Sequence, residues 1–199
     1  MASSAAFLSG KGADAAADLA ALERYVDERL APLILDRMSP DAIRRIREHR
    51  QAGHTTILIT GVIRPLTRPF EGLFDTIVAA ELATDGDGRC TGYLSGPPMV
   101  GESRSAWLTH YAKLHGIDLV KSYAYADSHV DLPMLNTVGN PVAVSPDVGL
   151  MRAANEGAHA GQSPAIGLNI LLPFDLDGAA IYYAGPTPAK PGQVIGSVG

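Results

Sequence analysis

Cysteine, basic charge, aromatic side chains and long apolar runs are all scarce in this chain of 199 residues. The single cysteine, Cys90, excludes a disulfide framework and a cysteine-rich zinc site. Lys and Arg number 16 against 21 Asp and Glu, a net charge of -5. That balance weighs against a nucleic-acid-binding module, which needs a positive field to meet phosphates. No apolar run approaches the ~20 residues of a membrane span, and the stretch 168–172 is far shorter. The first eight residues are small and apolar but lack the basic start of a targeting signal, so a cytoplasmic location is expected. What is present is a 46% hydrophobic fraction, enough for a buried core in one ordinary domain.

Leu19, Leu22, Val26, Leu30 and Leu33 repeat at helical spacing and predict an amphipathic helix over 13–35. Ser39-Pro40-Asp41 predicts a helix start, with the Ser39 hydroxyl as cap, running to about Gln51. Ile43 and Ile46 face inward on that reading, while Arg44, Arg45, Arg47, Glu48, His49 and Arg50 are solvated. Thr55–Ile59 reads as a buried parallel strand that opens into a loop at Thr60-Gly61. There follow a helix over 65–73, strands over 76–80 and 90–94, and a helix over 103–115 closed by Gly116. A strand over 122–126, a short helix over 132–138, a strand over 141–144 and a helix over 147–157 complete the alternation. Strands and helices in this order predict an α/β fold with a mainly parallel sheet. The stretch 168–172 is a further strand candidate, and 186–199, rich in Pro and Gly, reads as a tail.

In an open parallel sheet, ligands bind beyond the carboxyl ends of the strands. Thr60-Gly61 stands at one such end, where a hydroxyl and loop N–H groups can hold a phosphate oxygen. Asp127 and Asp131 stand at another, where two carboxylates can hold a hard cation such as Mg²⁺. Each alone has an ordinary structural reading: a threonine at a strand end, and a helix cap beside a surface charge. His49, His54, His110, His115, His129 and His159 show no metal-ligand spacing, although His129 lies between the two acids at the mouth of such a site. Cys90 and Trp107 read as packing residues.

Taken together and in order, these segments resemble the haloacid dehalogenase (HAD) superfamily. Ile57-Leu58-Ile59-Thr60-Gly61 is similar to its second motif, and Tyr125-Ala126-Asp127-Ser128-His129-Val130-Asp131-Leu132-Pro133-Met134-Leu135 to its fourth. The continuation 138–147, the lead-in Glu48–His54, and Gly92–Pro98 followed by Gly101-Glu102-Ser103 resemble the phosphoserine-phosphatase-like branch, subfamily IB. The resemblance covers about residues 7–157. It implies a Rossmann-like HAD core and a Mg²⁺-dependent phosphomonoesterase acting on a small phosphorylated substrate. In that family an aspartate attacks phosphorus, a second aspartate two residues on acts as acid and base, and a hydroxyl and a lysine hold the phosphoryl oxygens. By position, Thr60 and Gly61 become phosphate-binding, and Asp127 and Asp131 bind the metal. The division implied is a partial helical cap over 1–38, a core over 39–185 and the tail.

Two departures qualify the match. The family pattern Gly-x-x-Lys falls on Gly101-Glu102-Ser103-Arg104, so Arg104 takes the place of the phosphate-binding lysine; Lys113 and Lys121 read as surface charges. Nothing before Thr60 fits the first motif, Asp-x-Asp-x-Thr, so the expectation is a chain that begins inside the cap and lacks the nucleophile's strand. Phe174-Asp175-Leu176-Asp177-Gly178 would supply Asp175 as nucleophile and Asp177 as acid/base only in a circularly permuted fold. Pro173 and the absent threonine favour reading that segment as a turn. The alternatives are a non-catalytic phosphate- or Mg²⁺-binding module, or a fragment of a larger lipid-metabolism protein with an acyltransferase or reductase domain. A fragment without its central strand would leave two unpaired sheet edges.

Overall fold

A computed structural model describes residues 18–159 and 180–184. Its main sheet has five strands in the order β2-β1-β7-β5-β6. β1 (Thr55–Ile63) pairs in parallel with β2 (Thr76–Ala80), and β5 (Tyr123–Ala126) in parallel with β6 (Asn140–Ala143). Between these halves lies β7 (Ala180–Ala184), antiparallel to both: Ala180 pairs with Ile59, and Ile181 with Leu58 and Tyr125. The slot between β1 and β5 that a fragment without its central strand would leave open is therefore filled by β7. Because both are antiparallel to β7, β1 and β5 point the same way and their carboxyl ends share one edge. The strand candidate 168–172 lies outside the described residues, as does the tail. A hairpin of β3 (Leu82–Thr84) and β4 (Cys90–Leu94) forms a separate two-stranded sheet.

Alternation along β1 builds two cores. Ile57 and Ile59 face one side with Leu108, Met134 and Leu150, from α4 (Glu102–His115), α5 (Leu132–Leu135) and α6 (Val148–His159). Leu58 faces the other side with Ile34, Ile46, Phe70 and Phe74. That side is covered by α2 (Ala31–Asp36), α3 (Pro40–Gln51) and a 3-10 segment over Arg64–Phe70, which takes the place of the helix expected over 65–73. Pro65 and Pro69 withhold two N–H donors there and favour the shorter, tighter form. No helix among the described residues is long and apolar enough to cross a membrane.

The first helical run is not one uniform helix. α1 (Leu19–Tyr25), capped by the Asp18 side chain, passes into a π turn over Val26–Leu30 before α2 resumes. The wide turn holds one residue more than the 3.6-residue repeat assumes. The stripe Leu19, Leu22, Val26 and Leu30 faces inward as expected, but beyond the turn Leu33 is 51% exposed and Ile34 is buried instead. Ser39 likewise differs from expectation: its hydroxyl makes no cap bond, and its carbonyl accepts the Ile43 N–H.

His49, expected in solvent, is buried at the end of α3. Its Nδ1 lies 2.8 Å from Nδ1 of His54 and its Nε2 2.9 Å from the Tyr125 hydroxyl. Tyr123 packs its ring against both imidazoles. The correction has a simple cause, since His49 follows Ala42 and Ile46 on the inward face. Burial, then the neighbouring His54, push the His49 imidazolium down to about 3, and burial lowers His54 as well.

Two measurements check this description. Ile34→Ala should lower the urea-derived unfolding free energy by about 2–4 kcal/mol, whereas Leu33→Ala should change it by about 0.5 kcal/mol or less; an uninterrupted helix predicts the reverse order. In the unfolded chain the rings titrate near 6.5, so below that pH the unfolded state binds more protons than the folded one. Stability is full above pH ~6.5 and falls on acidification by up to ~1.4 kcal/mol per pH unit for each ring. Urea midpoints should thus drop between pH 7 and pH 5, and His54→Phe should flatten that drop.

Candidate active site

Three segments meet beyond the carboxyl ends of β1 and β5. The first is the end of β1 itself, which runs through Thr60 and Gly61 to Ile63 instead of opening into a loop at Thr60. Its pairing with β2 slips there: Ile59 faces Val78 and Ile63 faces Ala80, so extra residues bulge out between. Thr60 is 2% exposed, and its Oγ1 accepts the Val62 N–H at 3.2 Å. That bond uses a lone pair and leaves the hydroxyl proton as a donor. Gly61 packs under the turn that precedes α4. A Cβ here would meet Val100 Cγ1 at 3.1 Å and the Met99 carbonyl at 3.5 Å, so a larger residue would push the two loops apart.

Arg104, on the first turn of α4, is the second component and is 1% exposed. Its Nε donates to the Met99 carbonyl at 2.8 Å, and its Nη1 is ion-paired with Asp131 Oδ1. Its Nη2 comes within 3.9 Å of the Cβ position of Gly61. The guanidinium is thereby fixed between the end of β1 and the loop after β5. Lys113, on α4, is exposed, and Lys121 is paired with Asp118 at 3.2 Å; neither replaces Arg104.

The third component is the Asp127–Asp131 loop. Asp127 follows β5 directly and is exposed, whereas Asp131 is fully buried. Burial drives the Asp131 carboxyl upward and outweighs the pull of Arg104, and the charges of Asp127 and Asp147 push the same way. Its Oδ2 is buried without a hydrogen-bond partner among the described residues. An orphaned carboxylate oxygen is costly unless something else binds it. β7 separates β1 from β5, so their tips stand about two strand spacings apart, ~10 Å. That gap suits a cation and a phosphoryl group side by side.

The structure thus brings Gly61, Arg104 and Asp131 together, with Thr60 and Asp127 at the strand tips on the same edge of the sheet. Arg104, read from sequence as phosphate-binding, is paired first of all with Asp131. No group of three or more His, Cys, Asp or Glu side chains among the described residues is arranged to hold a metal ion. Asp127 and Asp131 would be the protein's oxygen ligands there, and Mg²⁺ commonly completes its shell with water and substrate phosphate. Asp175 and Asp177 lie outside the described residues. The sequence assigns Asp147 no role of its own; its signals are its place at the end of the 138–147 continuation and at the start of the helix predicted over 147–157.

A model of the haloacid dehalogenase-like hydrolase family matches residues 2–136. Over 151 residues the chain is 34% identical to a histidinol-phosphatase of Neisseria meningitidis serogroup C (strain 8013), covering 69% of this chain and 68% of that one. Over 154 residues it is 33% identical to a phosphoserine phosphatase of Mycobacterium tuberculosis (strain ATCC 25618 / H37Rv), covering 76% of this chain and 47% of that one. The chain therefore spans about two thirds of the first relative and about half of the second. The crystal structure of a protein of unknown function from Bordetella pertussis Tohama I shares the fold, with a TM-score of 0.59 at 24% identity over 76% of this chain and 66% of that one. With more than half of its length matched, the chain belongs to the haloacid dehalogenase-like hydrolase family.

Proposed function

We propose that the rim formed by β1, α4 and the Asp127–Asp131 loop binds the phosphoryl group of a small phosphomonoester together with Mg²⁺, in a hydrolase of the phosphoserine-phosphatase-like type. The observation that carries this reading is the buried Arg104–Asp131 pair beside Gly61, with one Asp131 oxygen unpartnered among the described residues. The relatives named histidinol-phosphatase and phosphoserine phosphatase support the substrate class.

The chain's own residues divide the work by charge. Thr60 offers its hydroxyl proton, and the backbone after it offers N–H groups, to phosphoryl oxygens. Asp127 and Asp131 Oδ2 hold the cation, which when bound neutralises charge on the phosphoryl oxygens. Arg104 holds Asp131 in place and opposes the burial that raises its carboxyl, and its guanidinium adds positive charge below Gly61. A lysine at this position would be a point charge on a mobile stem. The arginine is instead held at Nε and Nη1, so its contribution to phosphate is electrostatic and fixed.

A second reading has one observation in its favour. The strand between the two tips, Ala180-Ile181-Tyr182-Tyr183-Ala184, carries no carboxylate to serve as nucleophile. A chain that binds phosphate and Mg²⁺ without turning over would fit that strand.

Steady-state kinetics and titration calorimetry on the purified chain separate these readings. The hydrolase predicts Mg²⁺-dependent release of p-nitrophenol from p-nitrophenyl phosphate, reduced roughly 100-fold or more in Asp127→Ala. Mg²⁺ binding without turnover, lost in the same variant, assigns the chain as a binding module. Absence of Mg²⁺ binding contradicts both.

A further inference from the structure

We infer that the start of α6, through Asp147 and Gly149, straps the loop bearing Asp127 and Asp131 into its ligand geometry; the inference rests on the metal-binding reading above. Asp147 is the residue ahead of α6, in the loop that leaves β6. Its backbone N–H donates to the Asp127 carbonyl at 2.7 Å, extending the β5–β6 ladder past Val144, whose N–H donates to Ala126 at 2.8 Å. Its Oδ2 accepts three hydrogen bonds from the next two residues of the loop: the Ser128 hydroxyl at 2.9 Å, the His129 N–H at 3.0 Å and His129 Nδ1 at 2.9 Å. Its Oδ1 accepts the Leu150 N–H at 2.7 Å and caps α6.

A carboxylate offers about four acceptor sites. Three donors converge on Oδ2 and a fourth engages Oδ1, so both oxygens of Asp147 are held by its own loops, and its charge reaches Asp131. Burial acts to raise this carboxyl, but the bonds from Leu150, His129 and Ser128 prevail and hold it well below the usual carboxylate range. Asp147 is therefore a positioning residue. It fixes the carbonyl of Asp127, the side chain of Ser128, and both the amide and the ring of His129.

Gly149 supplies an independent observation. A Cβ at this position would lie 2.9 Å from His129 Cβ, 3.0 Å from Cγ and 3.3 Å from Nδ1. The imidazole rests on the first turn of α6 at a distance that only glycine allows. The reason for a strap is electrostatic. Asp127 and Asp147 both raise the Asp131 carboxyl, so before a cation arrives the acids repel one another. A loop held only by its ends would relax apart, and outer groups that orient ligands typically contribute 10–100-fold to metal affinity.

The test uses the full chain with two substitutions. Asp147→Ser keeps a cap oxygen for Leu150 but is too short to reach Ser128 and His129. Gly149→Ala leaves Asp147 unchanged and displaces the His129 ring. Both should bind Mg²⁺ alone 10–100-fold more weakly by calorimetry. In the metal-free state both should exchange the His129 amide hydrogen faster, while the Leu150 amide stays protected in Asp147→Ser. Unchanged His129 protection, or unchanged Mg²⁺ affinity in both variants, overturns the strap. If the unsubstituted chain binds no Mg²⁺, the metal-binding reading fails, and His129 exchange alone decides whether the strap exists.

Discussion

Arg104 and Asp131 form an ion pair with 1% and 0% of their side chains exposed, and the geometry of the site follows from it. A guanidinium in that position cannot lose its proton, so it must be paired and hydrogen-bonded or the fold would not hold it. Asp131 and the Met99 carbonyl meet that requirement. The pair joins two elements remote in sequence, the first turn of α4 and the loop after β5. The turn carrying Met99, whose carbonyl Arg104 holds, lies close over Gly61, where a Cβ would meet Val100 Cγ1 at 3.1 Å. Removing either charge would leave the other buried and unmatched, a loss typically of about 3–5 kcal/mol.

The same pair explains the chemical asymmetry of the rim. One oxygen of Asp131 is tied to Arg104 and the other is without a hydrogen-bond partner among the described residues. Asp127 is exposed at the strand tip, while both oxygens of Asp147 accept hydrogen bonds from neighbours. Three acids in one region thus have three duties: one faces outward, one is half-committed, and one binds only its own loops. Environment separates residues of one chemical type.

Much of this arrangement was legible in the sequence because local patterns and tertiary packing agree. The buried strand over 55–59, the helix start at Pro40, Gly116 after α4 and the position of Asp127 just beyond β5 fall where expected. What was not legible depends on contacts distant in sequence or on small backbone changes. One extra residue in the turn over Val26–Leu30 exchanges Leu33 for Ile34 at the core, and no periodicity count anticipates it. His49 sits among charged residues and looks solvated until Tyr125 and His54 close over it. β7 is five residues long, and its place between β1 and β5 is set by pairing with strands distant in sequence. The work of Asp147 is visible only once the β6–α6 loop lies against the β5 loop.

The central claim is that the tips of β1 and β5 grip one phosphoryl group and one Mg²⁺ between them. A crystal structure of the chain grown with Mg²⁺ and inorganic phosphate tests it most directly. The account predicts density for the cation within coordination distance of Asp127 and Asp131 Oδ2, and for the anion within hydrogen-bond distance of Thr60 and the Gly61 backbone. An anion seated elsewhere, or a cation that avoids both acids, would contradict it.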